Sequence, residues 1–211
     1  MHNKLDLLQN KLGITNLRTL NEVERILSAI NIAKQKEKSL KKYNFDTLKS
    51  IHKNIFKEIY PWAGKTRNVN ITKGKTFFCP MENINSFAND IFNKLEKQNY
   101  LKDLSQDEFC QKAAELFGDI NALHPFREWN GRAQREFIYH LAKNAGYDLD
   151  LNKADKNKYM VASIESMMTS NKKMADLMKS VIQPLEKTRT MSKRKLSLNT
   201  INKGKNNELS R

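Results

Sequence analysis

Apolar residues recur at spacings of three and four along most of the chain, which predicts a protein built from amphipathic helices. The first covers 20–38, where Val23, Ile26, Leu27, Ile30 and Ala33 form a stripe expected to face a core. A second is predicted over 46–59, opening at Asp46 as N-cap, burying Leu48, Ile51, Ile55 and Ile59, and stopped by Pro61. His52 lies near this stripe and reads as a packed or surface group. Helices resume at about 82–98 (Ile84, Phe87, Ile91, Leu95) and again from Ser105, where Ser105 and Glu108 have the spacing of a capping box. That helix carries Phe109, Ala113, Leu116, Phe117, Ile120 and Leu123 on one face and should end at His124-Pro125, because the residue before a proline resists helical angles. The next starts near Asn130, buries Phe137, Ile138, Leu141 and Ala142, and stops at Gly146, with His140 expected on its surface. Weaker patterns cover about 156–168 (Tyr159, Met160, Ala162, Ile164, Met167) and 171–186 (Met174, Leu177, Met178, Val181, Ile182).

One segment departs from this period. Between residues 62 and 80, Arg67-Asn68-Val69-Asn70-Ile71-Thr72 alternates polar and apolar, Lys73-Gly74-Lys75 supplies a turn, and Thr76-Phe77-Phe78 follows. This predicts a β-hairpin. A lone hairpin among helices has an edge that either packs away or accepts a partner's peptide as an added strand, and both readings stand. The predicted fold is all-α with a short hairpin, in one domain over 1–187.

Charge adds a tail and a class of partner. The chain of 211 residues carries a formal charge of +15, which favours an anionic partner without choosing among nucleotide, nucleic acid and acidic protein. Residues 187–211 hold eight Lys or Arg against the single acid Glu208, so much of the excess is local. From 188 onward the pattern is polar, basic and aperiodic, the composition of a disordered tail. Cys79 and Cys110 are too few and too far apart for a disulfide scaffold or a zinc site. No long apolar run follows the acid-containing start Met1-His2-Asn3-Lys4-Leu5-Asp6, so neither signal peptide nor membrane span is expected and a cytoplasmic location is the default.

The candidate chemistry lies between the fifth and sixth predicted segments. His124-Pro125-Phe126-Arg127-Glu128-Trp129-Asn130-Gly131-Arg132-Ala133-Gln134-Arg135 gathers an imidazole, a carboxylate, an amide, a glycine and several guanidinium groups around a helix start. A helix N-terminus offers unpaired N–H groups and the positive end of the dipole, which suits phosphate oxygens. Gly131 allows close backbone approach. Arg132 and Arg135 are three residues apart and can share a face toward the outer phosphates of a nucleoside triphosphate. Glu128 can supply one oxygen to a magnesium ion otherwise ligated by water and phosphate. His124 is the side chain here best suited to accept a proton near neutral pH. The plainer alternative is a helix junction in which Asn130 caps, Phe126 packs and the charges are solvated. The common Gly-rich phosphate loops are absent from the sequence.

These residues resemble the Fic family motif HPFx(D/E)GNGRxxR, and Ile59-Tyr60-Pro61-Trp62-Ala63-Gly64-Lys65-Thr66-Arg67, followed by Lys73-Gly74-Lys75-Thr76-Phe77, is similar to the segment leading into the Fic target-docking flap. The resemblance covers about residues 20–185. It implies a helical Fic fold with a hairpin flap, in which AMP is transferred from ATP to a Ser, Thr or Tyr hydroxyl of a target protein and pyrophosphate is released. By position it implies His124 as general base, Glu128 as magnesium ligand, Asn130 and Gly131 in the phosphate-binding loop 124–131, and Arg132 and Arg135 at the distal phosphates. The flap, Lys73, Gly74, Lys75, Thr76, Phe77 and Phe78, would hold the target by strand addition. Gly131 argues against the Doc kinase branch, which has lysine there.

The chain lacks the (S/T)xxxE(G/N) motif with which family members are commonly silenced, so the resemblance suggests a toxin-like enzyme restrained by a separate small antitoxin. It departs from the motif at Trp129, where the family has glycine. Tryptophan resists positive φ and occupies space beside the phosphates. Either the indole points away and the reaction is kept, or the protein uses another nucleotide or phosphate-linked donor, or it is inactive. A basic nucleic-acid-binding regulator is the rival from another class, with nucleic acid the less favoured partner.

Overall fold

The computed structural model describes residues 9–74 and 76–185. Among these, seven α-helices run in chain order: α1 (Leu17–Lys36), α2 (Phe45–Phe56), α3 (Ile84–Lys97), α4 (Gln106–Leu123), α5 (Asn130–Ala145), α6 (Lys156–Met168) and α7 (Lys172–Val181). Two short antiparallel pairs accompany them. The first joins β1 (Thr72–Lys73) to β2 (Thr76–Phe77), with Thr72 opposite Phe77 and Lys73 opposite Thr76. The second joins β3 (Tyr147–Asp148) to β4 (Gln183–Pro184) and ties the end of α5 to the end of α7. Lys75 and the basic tail from 188 lie outside the described residues.

Local chemistry sets the helix boundaries. Asn16 accepts from the Thr19 amide at 3.0 Å and Asn44 from the Thr47 amide at 3.0 Å, so the cap of α2 is Asn44, two residues before the expected Asp46. Ser105 and Glu108 form the reciprocal capping box that opens α4. Gly146 ends α5 with φ of +90°, a region where a side chain would be strained.

The centre is α5, ten of whose sixteen residues are buried. It is enclosed by α1 and α2 on one side and by α4 on another, while α6 and α7 cover α4 from outside. Phe56, Phe109, Phe117, Phe126 and Phe137 fill the space between these helices, each 1% exposed or less. The predicted faces of α2, α4, α5 and α7 match this core.

Two helices were oriented otherwise than the pattern suggested. On α6 only Ala162 is buried, whereas Met160, Val161, Ile164 and Met168 are exposed. On α1 Ile26 and Ile30 of the expected stripe are exposed while Leu27 is half-buried against the core, and the fully buried row is Leu20, Glu24, Ser28, Asn31 and Gln35. The reason is what α1 packs against. Asn31 donates to the Ile55 carbonyl at 3.1 Å, and Gln35 takes the Asn54 amide at 3.0 Å and donates to His140 Nε2 at 3.3 Å. His140, expected at the surface, is thus buried at 3% exposure. The facing surfaces of α2 and α5 present groups that need hydrogen bonds, and an apolar stripe would leave them unsatisfied.

Candidate active site

The site is built where α4 ends and α5 begins. Helix α4 stops because His124 takes left-handed angles (φ 41°, ψ 59°), its amide closing on the Ile120 carbonyl at 3.1 Å before Pro125 turns the chain away. The returning loop is tied to itself by Asn130, whose amide oxygen accepts from Phe126 N at 2.8 Å while its nitrogen donates to the Phe126 carbonyl at 2.7 Å. Asn130 therefore shapes the loop with both ends of its side chain. Phe126 is buried and stacks on the His52 ring at 4.0 Å between centroids.

His52 supplies a contact that sequence reading did not anticipate. Its Nδ1 accepts the Gly64 amide at 2.9 Å, so its proton lies on Nε2, which donates to the Glu128 carbonyl at 3.1 Å. Gly64 permits this approach: with φ of +79°, an added Cβ would meet Lys53 Cβ at 2.6 Å and the Lys49 carbonyl at 2.9 Å. Burial pushes the His52 imidazole down to about 4, the Glu128 carbonyl acting in the opposite direction, so this bridge is neutral at pH 7. The candidate metal ligand is thereby fixed at its main chain by a fully buried imidazole.

The His124 ring lies against Phe78 of the flap, with centroids 3.8 Å apart and planes at 19°, and its Nδ1 is buried without a hydrogen-bond partner. Burial pushes its pKa down to about 4, opposed by the Asn121 carbonyl and reinforced by the positive charges of Arg67 and Lys73. The imidazole is neutral at pH 7, the form that can take a proton. Beyond Phe78 the flap extends outward, and Phe77 is 79% exposed.

The two candidate phosphate-binding arginines diverge instead of reaching one point. Arg132 donates from Nη1 to Glu24 at 2.9 Å and to Ser28 at 3.1 Å, with its guanidinium over the Phe56 ring. Glu24 also accepts the Tyr60 hydroxyl at 2.8 Å, so Arg132 belongs to a polar network with α1. Arg135 turns the other way, donating from Nε to Asn152 at 2.8 Å and lying over the Tyr159 ring. Gly131 lies between these regions. A Cβ there would come no closer than 3.6 Å to Arg135 and 3.7 Å to Tyr159, so packing within the chain does not require glycine and leaves room for a ligand.

Trp129 occupies the left-handed region (φ 56°, ψ 26°) and caps α5 without a side-chain hydrogen bond. Its indole joins an aromatic stack, 4.4 Å from Tyr60 and 5.2 Å from both Phe56 and Trp62 between ring centroids. The side chain thus lies on the α2 side of the loop. The backbone keeps the glycine-like conformation, with three rings holding the tryptophan in it.

Arg67, Glu24 and His52 are the site residues to which the sequence assigned no role. For Glu24 a signal was present: Leu20, Glu24, Ser28, Asn31 and Gln35 are themselves spaced at helical intervals, the pattern of a polar seam. Arg67 and His52 act on main-chain groups, which side-chain motifs do not reveal.

Residues 42–142 match the model of the Fic/DOC family. The chain is 39% identical over 175 residues to the protein adenylyltransferase VbhT of Bartonella schoenbuchensis, covering 82% of this chain and 36% of VbhT. It is 32% identical over 164 residues to the Fic protein of Escherichia coli K12, covering 78% of this chain and 82% of that protein. It thus spans about a third of VbhT but most of the E. coli relative. Among solved structures, an N-terminal Fic domain from Bartonella quintana with bound ADP superposes with a TM-score of 0.79 at 31% identity, covering 84% of this chain and 91% of that one. BepC from Bartonella tribocorum, with bound AMPPNP, gives 0.78 at 27% identity over 84% and 93%.

Proposed function

Because the chain belongs to the Fic/DOC family, we propose that it is a protein adenylyltransferase that moves AMP from ATP to a Ser, Thr or Tyr hydroxyl of a target protein. The single observation that carries this reading is the pairing of a neutral, partly enclosed His124 with the start of α5, the flap lying directly against the imidazole. The target oxygen attacks the α-phosphorus, its proton passes to His124, and the bond to the β-phosphate breaks to release pyrophosphate. The first-turn amides of α5 and the helix dipole favour the phosphates, and Gly131 leaves space for them.

Arg135 is the better placed of the two arginines for the outer phosphates, since it must give up only one bond to Asn152, whereas Arg132 is held by Glu24 and Ser28. Asn130 serves by shaping the loop. Glu128 would hold a magnesium ion beside the nucleotide. Magnesium commonly takes one or two carboxylates together with phosphate oxygens, so the lack of a larger acidic or histidine cluster among the described residues is compatible with it. When bound, the ion neutralises phosphate charge. Trp129 leaves the reaction intact in this reading, because its indole lies within the aromatic stack. The target adds a strand at the hairpin.

We further propose a toxin-like role in the cytoplasm, restrained by a separate small antitoxin. In support, the sequence lacks the family's inhibitory motif, and among the described residues no helix is long and apolar enough to cross a membrane. The deciding experiment incubates the protein with cell lysate and ATP labelled at either the α- or the γ-phosphate. His124-dependent label should enter a protein from the α position only, falling by about 10²–10⁴-fold in His124→Ala. His124-dependent transfer of the γ label, or no transfer of the α label while an active relative labels its target in parallel, would refute the assignment.

A further inference from the structure

Arg67 lies in the segment before the flap and is 6% exposed. Its side chain makes four hydrogen bonds, all to main-chain carbonyls. Nε donates to His124 at 2.8 Å, Nη1 to Val69 at 2.8 Å, and Nη2 to both Cys79 and Leu123, the latter at 3.4 Å. Its own amide donates to the Pro125 carbonyl at 2.9 Å.

These acceptors belong to two structures. Leu123 and His124 are the last carbonyls of α4, which lack partners within the helix and lie at the negative end of its dipole. Val69 and Cys79 stand on the two legs of the hairpin. A buried guanidinium in that position is compensated by the helix terminus on one side and holds both legs of the flap on the other. The Cys79 amide adds a parallel tie to the Ala122 carbonyl at 3.0 Å. His124 meanwhile keeps left-handed angles that strain a non-glycine residue, and its carbonyl is the one Arg67 Nε engages.

We propose that Arg67 is a positioning residue for the transfer reaction, joining the flap and the main chain of His124 into one unit so that a target strand on the hairpin is presented in register with the imidazole. This rests on His124 and the flap having the roles proposed above. A lysine cannot replace it, because an ammonium has no planar fork with which to serve four carbonyls at once.

The first test needs no activity. Amide hydrogen exchange in the wild-type protein should give the Cys79 and His124 amides the same opening equilibrium, and Arg67→Lys should accelerate both together by about tenfold or more while buried amides of α2 and α3 keep their rates. Different wild-type protection at the two amides, or unchanged exchange in the folded variant, overturns the clamp. If Arg67→Lys does not fold, the wild-type comparison decides. In the second test, Arg67→Lys should lower kcat/KM for the protein target by about 10–100-fold with the KM for ATP unchanged. Equal losses for target and ATP, or none for the target, overturn the positioning role. Failure of the AMP-transfer assignment would leave wild type itself inactive with the exchange result intact, so the two failures are distinguishable.

Discussion

Trp129→Gly tests whether the aromatic stack is what holds the tryptophan in its conformation. Glycine at φ 56° relieves a left-handed penalty of about 1 kcal/mol, part of which is lost again to the greater freedom of glycine in the unfolded chain. Against this, the half-buried indole is removed from Tyr60, Trp62 and Phe56. An indole with about 100–150 Å² withdrawn from water contributes roughly 3 kcal/mol, and each stacked pair adds about 0.5–1.5 kcal/mol. The variant should therefore be less stable by roughly 3.5–6.5 kcal/mol, a fall in Tm of about 7–26 °C for a chain of this size. Trp129→Ala separates the strain from the contacts. Alanine loses the same contacts but keeps the strain, so it should be less stable than Trp129→Gly by roughly 0.5 kcal/mol, even though alanine outranks glycine at most positions. Differential scanning calorimetry of the three proteins reads this order directly. A glycine variant as stable as the parent, or an alanine variant more stable than the glycine one, would show that the stack does not hold Trp129 in a strained conformation.

Acid should destabilise the fold over a defined window. Burial holds His52, His124 and His140 at about 4, below the ordinary value of 6.5, so the unfolded chain binds protons that the folded chain refuses between these values. Stability should fall as pH drops from about 6.5 toward 4. Glu136 acts in the opposite sense, since burial raises it from 4.5 to about 7, leaving a net uptake of about two protons and a slope of at most roughly 2–3 kcal/mol per pH unit. Urea unfolding at several pH values measures it, and a flat profile between pH 4.5 and 6.5 would contradict the burial of these rings. His52→Ala should cost roughly 2–4 kcal/mol, because it removes the hydrogen bonds to the Gly64 amide and the Glu128 carbonyl and opens a cavity beside Phe126. Chemical denaturation checks the cost, and a loss under 1 kcal/mol would show that the bridge is dispensable.

Much of the framework could be read directly from residue order. Caps, prolines and the terminal glycine act on their immediate neighbours, so the Ser105–Glu108 box, the stop at His124-Pro125 and the end of α5 at Gly146 were legible without knowledge of packing. The motif His124 to Arg135 was legible for the same reason, being a continuous run around one helix junction. The orientation of α1 was not. Its Glu24, Ser28, Asn31 and Gln35 face inward only because α2 and α5 offer Arg132, His140 and the Ile55 carbonyl as partners from distant parts of the chain. The divergence of Arg132 and Arg135 likewise depends on Glu24 and Asn152, since a three-residue spacing fixes where two side chains leave a helix but not which way long side chains turn. The conformation at Trp129 was decided by both. The motif marked the position as one for glycine, and the stack of Phe56, Tyr60 and Trp62 decided that a tryptophan is held there with its backbone in the glycine-like region.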